Sequence, residues 1–230
     1  MLKAILFDLD NTLLDFSGFK RESALAAAKA IREAGVKESE KKLYDQIFEI
    51  YEKRDIEYQN TFHDLLSKYN LGASLHEHAK QAAIIAYTKK KYELIKPRQR
   101  VIQTLNSLKR KYKLGIVTDA PKDKAWQRLV LAGLDGYFFP VVTFSDTNAR
   151  KPSTLPFKRA LTLLNAQPSE CLYVGDFPER DIVGAKKVGM ITCLAKYGCP
   201  DYSSEADVAD YRIERFEELE NVVMEIGGND

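Results

Sequence analysis

The chain has 230 residues, with 35 basic side chains against 33 acidic ones and an apolar share of 45%. That length suits one large domain or a domain carrying an inserted smaller one, and the apolar share excludes a disordered chain. A net charge of +2 gives no electrostatic case for nucleic acid or an anionic membrane as the main partner.

Residues 2–7 are a short apolar run that predicts a strand. It is followed by Asp8, Asp10 and Asp15, which do not suit a signal peptide, and no apolar run approaches a membrane span, so a cytoplasmic protein is expected. All eight prolines lie at or after Pro97, and residues 16–96 hold only three of the twelve glycines. Such a stretch predicts consecutive helices. The first is capped by Ser17 and runs to Gly35. The second carries Leu43, Ile47, Ile50 and Tyr51 at helical spacing, and Tyr44, Tyr51 and Tyr58 recur every seven residues along one side of it. A third holds Phe62, Leu65, Leu66 and Tyr69 and stops near Gly72. The fourth opens on a capping box of Ser74 and Glu77. Short connections make an antiparallel bundle.

Beyond Pro97, apolar runs alternate with helical patterns. Strands are predicted at 113–117, 141–143, 171–174 and 191–194, with a short edge strand at 211–213. Helices are predicted near 99–111, 122–132, 155–164 and 181–188, and the last amphipathic helix carries Phe216, Leu219, Val222, Val223 and Ile226. This is an α/β class fold, a doubly wound Rossmann-like parallel sheet interrupted after its first strand by a helical bundle. The expected organisation is a core of residues 1–15 and 97–230 with a helical domain at 16–96. The three cysteines form no Cys-x-x-Cys pair; Cys171 and Cys193 are expected as buried strand thiols and Cys199 as a loop thiol. His76 and His78 would face different sides of a helix and make a poor metal pair.

In an open parallel sheet, ligands bind beyond the carboxyl ends of the strands. Asp8, Asp10, Asn11 and Thr12 follow the first strand; Thr118 and Asp119 follow the second. Arg150 and Lys151 come after the third, and Gly175, Asp176 and Asp181 after the fourth. Aspartates at turns are ordinary, but complementary groups at four strand ends are not. Clustered carboxylates call for a hard cation with oxygen ligands. The set suits phosphoryl transfer: one carboxylate as nucleophile, a second moving the proton, and a hydroxyl and a lysine on the phosphate oxygens. Asn11 suits the tight turn because asparagine tolerates left-handed backbone.

These residues carry a family resemblance. Phe7-Asp8-Leu9-Asp10-Asn11-Thr12-Leu13 resembles the Asp-x-Asp-x-Thr loop of the haloacid dehalogenase-like hydrolase superfamily. Thr118 resembles its second motif and Lys151 before Pro152 its third. Gly175-Asp176 with Asp181 resembles its fourth, and the motifs stand in family order from residue 7 to 181. The helical block between the first two motifs resembles the family's α-helical cap. The resemblance implies that Asp8 is the nucleophile and a Mg2+ ligand. Asp10 would be the general acid and base and would offer its carbonyl to the metal, and Asp176 would be the other direct ligand. It implies that Thr118 and Lys151 hold the phosphoryl group, that Asp181 acts from behind them and that Thr12 fixes the loop. Asp119 stands where asparagine is common, and Phe177 where a small polar residue is.

The implied activity is a magnesium-dependent phosphatase acting on a small phosphorylated metabolite through an aspartyl phosphate. A sugar phosphomutase of the β-phosphoglucomutase type shares all four motifs and is the alternative. A dehalogenase lacks the second acid of the first motif, and a phospho-aspartate signalling switch lacks the Asp8/Asp10 spacing and the cap. Tyr51, Arg54, Tyr58 and His63 are possible substrate contacts on the helical block. The sequence leaves monomer and homodimer both open.

Overall fold

The sheet is six-stranded and entirely parallel, ordered from edge to edge Val141–Val142, Lys113–Val117, Ala4–Phe7, Cys171–Gly175, Ile191–Ala195 and Tyr211–Ile213, with helices on both sides. It is seen in a computed structural model that describes residues 1–198 and 209–228. The chain enters at β1 (Ala4–Phe7). It then builds four helices: α1 (Phe16–Glu33), α2 (Glu40–Lys53), α3 (Thr61–Leu66) and α4 (Ala73–Leu94). After α5 (Val101–Leu108) come β2 (Lys113–Val117), α6 (Lys122–Leu131), β3 (Val141–Val142) and α7 (Phe144–Thr147). The remainder is α8 (Thr154–Leu164), β4 (Cys171–Gly175), α9 (Val183–Lys187), β5 (Ile191–Ala195), β6 (Tyr211–Ile213) and α10 (Leu219–Gly228).

Central parallel strands are buried on both faces, and β1 shows it through its side-chain alternation. Ala4 and Leu6 join Phe157, Ala160 and Tyr173 in one apolar cluster. Phe7 packs on the other side against Phe138 and Phe216, with ring centroids 6.0 and 5.9 Å away. Cys171 and Cys193 are both buried strand thiols; Cys199 lies outside the described residues. Among the described residues no helix is long and apolar enough to cross a membrane.

Two compact units emerge from the fold: Met1–Phe16 with Ile95–Asp230, and Ser17–Leu94. The second has its own core of Ala24, Ala28, Ile31, Leu43, Ile47, Leu65, Leu66 and Ala83. Its first helix ends as its sequence predicts. Gly35 takes φ 111°, and the amide of Val36 donates back to Ile31.

Four local expectations are corrected. Ser17 lies inside the first turn of α1, which begins at Phe16. The Ser74–Glu77 box does not start α4, because the helix begins at Ala73 and the His76 amide donates to Gly72; Glu77 pairs instead with Lys80 and Gln81. Tyr58 is not on α2, which ends at Lys53, so only Tyr44 and Tyr51 of the tyrosine series share that helix. The loop expected after β3 contains the short helix α7, held by a capping box in which Asp146 accepts from the amide and hydroxyl of Thr143.

Candidate active site

Residues from β1, β2 and β4 and from the turn beyond β4 meet at Lys151. Its Nζ, buried with the rest of the side chain, donates to Asp8 Oδ1 at 2.6 Å and to Asp181 Oδ1 at 2.6 Å. The Tyr173 hydroxyl at 3.1 Å and the Val117 carbonyl at 3.2 Å complete its surroundings. Asp8 follows β1, Val117 ends β2, Tyr173 stands in β4, and Asp181 lies in the π-helical turn Pro178–Ile182 beyond β4. The loop carrying Lys151 is tied in by its own backbone amide, which donates to Asp119 Oδ1 at 2.9 Å. Asp119 therefore fixes the lysine's loop, and the aspartate at that position has a structural use.

The turn after β1 is built by its backbone. Asn11 takes φ 63°, and the amides of Leu13 and Leu14 both donate to the Leu9 carbonyl. The Tyr197 hydroxyl donates to the Thr12 carbonyl at 3.0 Å. Thr12 Oγ1 donates to Asp176 Oδ1 at 3.2 Å, so the threonine links this loop to the end of β4. Thr118 is buried at the end of β2, and its Oγ1 accepts from the Ala120 amide. Glycine is required at two close approaches. A Cβ on Gly175 would lie 2.5 Å from Asp181 Cγ, and one on Gly198 would collide with Asp176 and with the Asn11 carbonyl.

The carboxylates of Asp8, Asp176 and Asp181 are all buried, and each offers an oxygen within 4.8 Å of the others. Burial pushes the Asp8 carboxyl up against the pull of Lys151, and Asp181, Asp176 and Asp10 add repulsion. Burial and the charge of Asp181 push Asp176 up to about 7. Burial works against the Lys151 ammonium, but Asp181 and Asp8 more than reverse it and hold it well above the usual lysine range. A donor set of oxygens alone, crowded enough to repel its own charges, fits a hard divalent cation. Geometry groups Asp181 with Asp8 and Asp176, although Asp181 also holds Lys151.

Asp10 has a different partner. Its Oδ2 accepts from Arg128 Nη1 at 2.5 Å, and Arg128 comes from the buried face of α6. Arg128 and Tyr173 were not legible as site residues. Arg128 sits between buried Ala125 and Leu129 on one helix face, and an arginine on such a stripe was the available signal. Tyr173 lies in an apolar strand run and looks like packing; it does touch Phe157 edge-on. Phe177 is half-buried with the Arg180 guanidinium over its ring at 4.1 Å, and its amide donates to Asp181 Oδ2.

The remaining expected contacts lie in the helical unit. Tyr51 is buried in that unit's core beside Phe48. Arg54 is exposed with its guanidinium 5.7 Å from the Tyr58 ring, and the Tyr58 hydroxyl donates to Asp64 at 2.9 Å. His63 is exposed, its ring 5.5 Å from that of His76.

The haloacid dehalogenase-like hydrolase family model matches residues 5–195, and the chain belongs to that family. It is 34% identical to the glyceraldehyde 3-phosphate phosphatase of Methanopyrus kandleri, covering 98% of this chain and 99% of the relative. It is 31% identical to the enzyme of the same name from Methanocaldococcus jannaschii, covering 98% and 99%. Among solved structures, a HAD phosphatase from Thermococcus onnurineus is similar with a TM-score of 0.69 and 27% identity, over 96% of this chain and 98% of that one.

Proposed function

We propose that the protein is a magnesium-dependent phosphatase of small phosphomonoesters that works through an aspartyl phosphate. The observation that carries this reading is the buried set of Asp8, Asp176 and Asp181 around a lysine that neutralises only part of their charge. Three buried carboxylates and one ammonium leave negative charge that a cation and then a phosphate group would complete.

Asp8, Asp176 and the Asp10 carbonyl would hold magnesium, with Asp181 close by. The metal supplies charge neutralisation for the phosphate oxygens. Asp8 attacks phosphorus as the ester P–O bond breaks, and Asp10 gives its proton to the departing oxygen. Asp10 then takes a proton from water as that water attacks phosphorus, releasing phosphate and restoring Asp8. Lys151 and Thr118 bind equatorial phosphate oxygens, and Lys151 is preorganised for this by Asp181 and Tyr173. Thr12 and Asp119 keep the loops in register.

Glyceraldehyde 3-phosphate is the first substrate to test, because the relatives matched along nearly the whole chain are named for it. The helical unit Ser17–Leu94 is proposed as the cap that selects the substrate, with Tyr51, Arg54, Tyr58 and His63 as the residues to examine. The decisive measurement is inorganic phosphate release from glyceraldehyde 3-phosphate with magnesium, for the natural chain and for Asp8→Asn. Release is expected from the first and only background from the second, with the fold intact. Undiminished release by Asp8→Asn overturns the reading. Isomerised sugar phosphate without free phosphate would point to a mutase instead.

A further inference from the structure

We propose that Arg128 is a positioning residue that holds the Asp10 carboxylate in its working place. The inference rests on the reading of Asp10 as the group that moves the proton.

Arg128 is 1% exposed and is among the largest fully buried side chains of the chain. A guanidinium cannot shed its charge at such a site, so its burial demands a paired anion. Asp10 Oδ2 meets it at 2.5 Å, and the Phe16 ring lies 4.7 Å from the guanidinium carbon. Asp10 itself is only partly buried, with a side-chain exposure of 21%. The pair thus joins a rigid helix side chain to a carboxylate on a loop.

The backbone of that loop has hydrogen bonds of its own. Leu9 accepts from Leu13 and Leu14, Tyr197 donates to Thr12, and Leu14 bridges to both Asp10 and Pro97. What Arg128 adds is a fix on the Asp10 side chain. Proton transfer needs the carboxyl within hydrogen-bond reach of the departing oxygen, and a misplacement of about 1 Å costs about 100-fold. Asp8 and Asp10 lie two residues apart, yet each has its own cation from a different element. Lys151 serves the attacking carboxylate, and Arg128 serves the one that moves the proton.

The test compares an alkyl ester, glyceraldehyde 3-phosphate, with p-nitrophenyl phosphate, whose departing group needs little protonation. In each case kcat/KM reports the steps up to phosphoenzyme formation. Arg128→Met is expected to lose about 100-fold on the alkyl ester and less than about tenfold on the aryl ester, the range of a general acid. Asp10→Asn should show the same bias, more strongly. Arg128→Lys, which keeps a cation there, should fall between Arg128→Met and the natural chain, and it carries the test if Arg128→Met does not fold. Equal losses on both esters, or an unchanged alkyl rate, overturn the inference while leaving Asp10 in place. If Asp10→Asn itself shows no bias, it is the reading of Asp10 that fails.

Discussion

Each of the two units buries a lysine, and both Lys151 and Lys20 are 5% exposed. Their surroundings differ in kind. Lys151 donates to two carboxylates, from Asp8 and Asp181. Lys20, on α1, donates to the carbonyl of Ile56 at 2.6 Å and lies over the faces of Tyr51 and Tyr87, at 4.6 and 5.6 Å from the centroids. Carboxylates around an ammonium make a site whose charge can be completed by a ligand. A carbonyl and ring faces make a tether, which joins α1 to the segment between α2 and α3. Equal burial of the same residue type therefore says little; the partners decide whether the charge serves chemistry or architecture.

Removing each lysine should break that equivalence. Lys151→Met leaves Asp8 and Asp181 buried without their shared cation, which should cost about 3–5 kcal/mol of stability. Turnover should fall about 1,000-fold, the scale of losing a preorganised phosphate ligand. Denaturant unfolding and phosphate release measure the two losses separately.

Metal removal tests the same site from the other side. EDTA should abolish turnover and magnesium restore it. The stability effect should depend on pH. Without metal, folded Asp176 holds its proton up to about 7, whereas the unfolded carboxyl releases it near 3.8. Asp8 is raised in the same direction. Between those values the folded chain binds more protons than the unfolded one, so stability is fully present below the lower value and drains away as pH rises through the upper. Magnesium should therefore raise the melting temperature more at about pH 8 than at about pH 5, where protons compete for the same oxygens. An equal shift at both would remove these carboxylates as the ligands.

The parallel fold and the Lys151 cluster were legible because strand ends are readable. An apolar run stops, and the polar residue after it must lie at one edge of the sheet, as Asp8, Thr118 and Asp176 do. Arg128 carries no such marker. It stands mid-helix in α6, and only the burial of Ala125 and Leu129 beside it shows that it points inward. Tyr173 is hidden for a related reason, since its ring packs like its apolar neighbours and only its hydroxyl reaches the site. The start of α4 was misplaced because Ser74 and Glu77 have box spacing, while the backbone begins the helix at Ala73. The expected tyrosine stripe extended a true period past Arg54, where α2 has already closed its last hydrogen bond to Ile50.

Lys20→Met should cost less than Lys151→Met. It removes the donor to the Ile56 carbonyl, whereas Lys151→Met takes a shared cation from two carboxylates, and the methylenes of methionine still fill the space between the rings. A loss of about 1–2 kcal/mol in denaturant unfolding is expected. A loss as large as that of Lys151→Met would mean that the two lysines are alike after all.

Tyr173→Phe probes how far the charge network extends beyond the ions. The phenol donates to Asp181 Oδ1 at 3.0 Å and accepts from Lys151, while the ring stays packed on Phe157. Burial and the charge of Asp181 hold its own proton firmly on, so it serves as a neutral link. Phenylalanine keeps the packing and both salt bridges and removes the hydroxyl, which also lies 3.2 Å from the Val117 carbonyl. The expected cost is about 1 kcal/mol, with turnover down about tenfold because Lys151 keeps its charge but loses one of its fixed partners. If turnover is unchanged, the two carboxylates alone aim the lysine. If it falls as far as in Lys151→Met, the phenol belongs to the phosphate-binding machinery itself.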